Sequence, residues 1–171
     1  MNLEYKHLLP EDFSENSRVW IYQSNRLFTL GEAFEIEDAL KEFTEQWLSH
    51  GADVKAYGNL FFGQFVVLIA DETQAAVSGC STDSSVRFVK ELGQRFGVDF
   101  FNRTNLAFVS KDKIQTLPLN QLSYAFQHHF ITPDTLFFNN TVQTKSELEN
   151  NWLIPVKDSW LAKRLMIQTN S

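Results

Sequence analysis

Residues 77–88 read VSGCSTDSSVRF and hold the chain's single cysteine, Cys80. Around it stand the hydroxyl residues Ser78, Ser81, Thr82, Ser84 and Ser85, the acid Asp83, and Arg87. A thiol just outside a helix N-terminus meets free backbone N–H groups, which favour thiolate over thiol and also attract an anion. Cys80 is thus the candidate nucleophile or redox thiol. The hydroxyl residues and Asp83 are candidate ligand contacts, and Arg87 and Arg103 are candidate anion binders. The same letters have a purely architectural reading. Free cysteine is among the most buried residue types, so Cys80 can end a buried strand while Asp83 caps the helix that follows. Arg87, near the positive end of that helix, would then want Asp83 or an external anion as a partner.

Better-defined chemistries fail on single residues. A C-x5-R phosphatase loop would need arginine at position 86, but Val86 stands there and Arg87 comes one residue late. Asp83 would also oppose a thiolate and a bound phosphate. Gly79 has no glycine four residues on, so SGCSTDS is not a G-x-S-x-G elbow. GNLFFGQF (58–65) spaces two glycines as a phosphate loop does. It then places Gln64 and Phe65 where lysine and a hydroxyl residue must hold phosphate and Mg²⁺. There is no G-x-G-x-x-G fingerprint, no H-E-x-x-H and no paired C-x-x-C. Adjacent His128 and His129 would point about 100° apart on a helix. No metal ligand set and no cofactor is therefore assigned. Trp20, Trp47, Trp152 and Trp160 read as packing residues whose indole N–H groups need acceptors. Asn102, Asn139 and Asn140 read as turn formers at strand ends or, alternatively, as ligand contacts.

These residues must be positioned by a mixed fold. RVWIYQ (18–23) reads as a strand. Thr29 and Glu32 have capping-box spacing. Ile36, Ala39, Leu40, Phe43 and Trp47 then make one helical face, closed at His50-Gly51. VKAYGNLFFGQFVVLIA (54–70) is too long for one strand, with Gly58 and Gly63 as break points. AAVSG (75–79) would return as its hairpin partner. Val86, Val89, Leu92 and Phe96 predict a second helix ended by Gly97, and VDFF (98–101) and LAFVS (106–110) predict further strands. The order is β-α-β-β-α-β, which is ferredoxin-like: a mostly antiparallel sheet with both helices on one face. Residues 118–171 would pack on this 18–117 core as an appendage. It would comprise a helix after Pro118, a strand over 135–142, a Thr144-capped helix through Trp152, and a last helix after Asp158. The whole chain reads as one domain.

Composition sets the outer limits. With 171 residues, 43% hydrophobic and 16 Phe, the chain can bury a core without disulfides or structural metal. One cysteine, and an N-terminus without a signal-peptide core, point to the cytoplasm. The longest apolar run, FVVLIA, is far too short to span a membrane. A net charge of −6 argues against general nucleic-acid binding.

The segments WLSHG (47–51), SGCSTDSSVRFVKELG (78–93), DFFNR (99–103) and IPVKDSW (154–160) together resemble an uncharacterised family of small soluble proteins of Bacteroidetes-type bacteria. The resemblance runs from about residue 18 to about residue 165. Members often carry an automatic label of ABC transporter ATPase. This chain contradicts the label, since it has no Walker A motif and no signature sequence. The resemblance therefore implies no catalytic residues.

Two functions remain. One is a non-catalytic binding or regulatory module for a protein or small-molecule partner, or a homodimer, with a sizeable apolar patch. The other is a small-molecule enzyme or anion-binding protein whose site is a Gly79–Ser85 loop with an accessible Cys80.

Overall fold

The computed structural model describes residues 1–49, 52–53, 55–73 and 79–167; at 48–49, 52–53 and 79–81 it describes the backbone path alone. The fold is α+β. The elements run β1 (Arg18–Gln23), α1 (Leu30–Gln46), β2 (Leu48–Ser49), β3 (Ala52–Asp53), β4 (Lys55–Phe61), β5 (Phe65–Asp71), α2 (Gly79–Phe96), β6 (Asn105–Ser110), β7 (Lys113–Pro118), α3 (Leu122–Gln127), β8 (Leu136–Phe138), α4 (Lys145–Asn151), β9 (Leu153–Pro155) and α5 (Leu161–Arg164). Every described strand pairing is antiparallel. One sheet has the order β1-β5-β4, another β7-β6-β8-β9, and β2-β3 form a short ladder. None of the described helices is long and apolar enough to cross a membrane.

The first sheet is covered on both faces, and the parity of β5 shows how. Val66, Leu68 and Ala70 point to a cluster with Ile36 and Leu40 of α1 and Val89 and Leu92 of α2. Phe65, Val67 and Ile69 point the other way, to Phe138, Leu148, Trp152, Tyr5 and Leu9. With both faces buried, β5 reads as an unbroken apolar run and not as an alternating strand. Each buried Val, Leu, Ile or Phe among them contributes roughly 1.5–3 kcal/mol by leaving water.

Several boundaries differ from the sequence expectation, each for a local reason. The 54–70 stretch is itself the hairpin: Phe62 and Gly63 take positive φ at its turn, while Gly58 stays within β4. The expected partner strand 75–79 lies outside the described residues except Gly79, which begins α2. Helix α1 stops at Gln46, with Trp47 extended, because the chain turns at once into the β2-β3 ladder. His50 and Gly51 lie outside the described residues. Residues 98–101 are not a strand. Asp99 Oδ1 accepts from Phe101 N (2.8 Å) and Asn102 Oδ1 from Thr104 N (3.1 Å), so side chains hold this backbone in turns.

β6 hydrogen-bonds to β7 and β8. The free edge of β1 instead meets the segment before α4, through an Arg18–Thr144 bridge and the bond from Val19 N to Gln143 O (2.9 Å). Residues 118–167 supply the inner strand β8 and a large share of the core, so they complete the second sheet.

The expected capping box at α1 is present. Thr29 Oγ1 accepts from Glu32 N, and Glu32 accepts from Thr29 N (2.8 Å). Arg26 grips the same carboxylate through both terminal nitrogens (2.9 and 2.8 Å) and donates to Phe96 O (2.8 Å), joining the start of α1 to the end of α2. The Arg26 hydrogen bond, followed by the Thr29 backbone bond, lowers the Glu32 carboxyl to about 2. A lowered folded pKa stabilises fully above the unfolded value of about 4.3 and is lost as pH falls through the folded one. Glu32→Gln is therefore expected to flatten the loss of stability between about pH 4.5 and 2. Urea midpoints across that range check it; parallel curves for both proteins would remove Glu32 from the acid response.

Candidate functional site

The two larger sheets approach each other where β1 ends and β6 begins, and a cleft opens there. Its inner cavity, about 110 Å³, has apolar walls from Ile21, Phe100, Leu106, Phe137, Phe138 and Trp160. Its polar lining is Gln23, Asn102, Arg103, Asn105, Asn140 and Thr141. An outer groove of about 530 Å³ runs on along the β1 edge past Trp20, Tyr22, Gln143 and Arg18, and shares Ile21, Arg103, Asn140 and Thr141 with the cavity.

Local structure places each group. Gln23 is the last residue of β1 and Asn105 the first of β6, and Gln23 Nε2 donates to Asn105 O (2.9 Å). Asn140 follows β8, and its Nδ2 donates to Gln23 Oε1 (2.9 Å). Behind them the fully buried Trp152 donates its indole N–H to Asn140 Oδ1 (2.9 Å). A chain of three hydrogen bonds thus runs from the core to the start of the second sheet. Asn102 and Asn139 do form turns, toward Thr104 and Thr141.

Arg103 is exposed at the junction of cavity and groove, and no described carboxylate forms an ion pair with it. Arg18 lies over the Trp20 ring and is paired with Glu72 (3.6 Å). Among the described residues lining cavity and groove there is no Asp, Glu, His, Lys or Cys. Tyr22 forms part of the groove wall. Burial pushes its phenol up, while the Ser85 hydroxyl and the Arg103 charge pull it back. The side chain is therefore a neutral phenol at pH 7. The chain matches no family model, no curated protein and no solved structure.

The candidates read from the sequence separate here. Residues 79–85 are the first turns of α2 and not a loop, because the helix begins at Gly79. Asp83 is consequently an exposed residue inside the helix and not its cap. Cys80 and Ser81 sit in the first helical turn, with side chains outside the described residues. Thr82 and Ser84 are half-buried; Ser85 is fully buried and donates to Thr82 O (2.6 Å). Arg87 is exposed on α2 and lines neither cavity nor groove. Of the candidates whose side chains are described, Arg103 lines the cleft, and Ser85 stands behind the Tyr22 wall. Sequence reasoning missed Gln23, Asn105 and Thr141. The available signal was a carboxamide ending the apolar strand RVWIYQ, where any solvent-facing residue would have served equally well.

Proposed function

We propose that the chain is a non-catalytic binding module that holds a small polar ligand in the cleft between its two larger sheets. The observation that carries this reading is Arg103, a guanidinium without a described carboxylate partner, beside a cavity with six apolar walls and fixed amides. Ligand sites commonly have this character: an apolar concavity with a few oriented polar groups. The lining offers hydrogen bonds and charge. Among its described residues there is neither a nucleophile beside a base nor a pair of carboxylates, which acid–base and covalent catalysis need.

A fragment screen by ¹H–¹⁵N NMR tests the reading. Binders are expected to shift the Trp160 indole and the Gln23 and Asn140 side-chain amides together, and Arg103→Ala is expected to weaken them. A screen whose shifts fall everywhere but the cleft removes the proposal.

A further inference from the structure

Trp152 fixes the direction of the whole amide chain. An indole N–H can only donate, so the oxygen end of the Asn140 amide must face it. The nitrogen end then donates to Gln23 Oε1, and Gln23 in turn must donate to Asn105 O, which can only accept. Flipping either amide would set donor against donor or acceptor against acceptor, which is costly in a buried place. Each amide nitrogen carries two hydrogens and spends one in the chain. The second N–H of Gln23 and of Asn140 has no acceptor among the described residues. Asn102 is oriented in the same sense: its Oδ1 takes both Thr104 N (3.1 Å) and Thr104 Oγ1 (2.7 Å), which leaves its NH₂ unused. The Thr141 hydroxyl runs the other way, since it gives its hydrogen to Asn139 Oδ1 (2.5 Å) and keeps acceptor lone pairs.

We infer that this cleft selects an oxyanion, a carboxylate or phosphate head on a small apolar or ring-shaped body. The inference rests on the cleft being a ligand site and adds the class of ligand. Three amides present N–H groups, and Arg103 supplies a positive charge that no lining carboxylate cancels. Oxyanions accept such bonds, and charge assistance makes them about twice as strong as neutral ones. An ammonium head would meet donors and a like charge. The cavity of about 110 Å³ is smaller than a void that holds benzene, so it admits the head and the first atoms of the body. The remainder would lie along Trp160 or in the groove. Trp152 is a positioning residue in this account, since it acts on the ligand only through Asn140.

Four probes with one ring and different heads test the inference on the full chain: benzoate, phenyl phosphate, benzyl alcohol and benzylamine. The two anions are expected to bind, with benzylamine weaker by about tenfold or more; the relative strength of the two anions tells the head groups apart. Arg103→Gln, a surface change, is expected to lower anion affinity about tenfold. Trp152→Phe is expected to narrow the preference for benzoate over benzylamine, whereas damage to packing alone would weaken both probes alike. Asn140→Asp is expected to reverse the preference. Equal binding of all heads in the cleft, or a preference for benzylamine, overturns the inference and leaves the binding-module reading standing. No binding of any probe at about 10 mM, where a millimolar Kd would register, overturns both.

Discussion

Trp152→Ala is expected to cost about 3–5 kcal/mol of folding stability, the range for removing a large buried aromatic side chain. The indole is fully buried, and rings of Tyr5, Phe61, Phe65 and Phe138 stand edge-on to it at 5.0–5.8 Å. Truncation empties that space and also removes the donor that Asn140 Oδ1 accepts from. Phenylalanine at the same place keeps much of the packing and loses the donor and part of the ring volume, so Trp152→Phe should cost distinctly less. Urea denaturation of the two variants checks this. Equal losses would mean that the hydrogen bond, and not the packing, dominates at this position.

Gly93→Ala is expected to destabilise, against the helix-propensity rule that favours alanine by about 1 kcal/mol inside a helix. A Cβ on Gly93 would lie 2.8 Å from Val98 O, a backbone atom that cannot swing aside. The same stretch is held by the bond from Val98 N to Gly93 O (2.9 Å). The chain must shift there, at a net cost of about 1–3 kcal/mol. The displaced residues run directly into Phe100, Asn102 and Arg103 of the cleft, so ligand affinity should fall with stability. Thermal unfolding of Gly93→Ala tests the sign, and a raised Tm would show that the loop yields without strain.

Elements with strong periodicity could be read from the sequence. β1, the Thr29 capping box, the core face of α1, the Gly97 stop of α2 and the Thr144 cap of α4 rest on local chemistry, which needs no tertiary information. The β7 hairpin could not be read in this way. Its two-residue turn, Lys111-Asp112, has positive φ at both positions but no glycine to announce it. β7 is also an edge strand with mostly exposed or half-buried side chains, so no apolar alternation marks it. The cleft was legible only at Arg103 and, as one of two readings, at Asn102 and Asn140. Asn102, Asn139 and Asn140 look equivalent as letters. What separates Asn140 is Trp152 behind it and Gln23 beside it, distant residues that only the fold brings together. The emphasis on Cys80 came from the expected helix start near Asp83. The helix starts at Gly79, because serine and threonine in its first turns did not interrupt it.

The segment before β1 is bound to β4 and β5 through Lys55, Tyr57 and Asp71, and to residues 145–148. Tyr5 donates to Leu148 O (2.6 Å), Lys145 donates to Phe13 O (3.2 Å), and Lys145 N and Ser146 N donate to Ser17 O and Glu15 O. During synthesis the bonds to 145–148 must wait for about 130 more residues, a delay set by sequence separations of 132 and 143. Until then the Phe65, Val67 and Ile69 face of the first sheet lacks Phe138, Leu148 and Trp152 as its cover. A nascent chain therefore carries an open apolar face from the synthesis of β5 until residues 138–152 follow, the kind of surface that chaperones recognise.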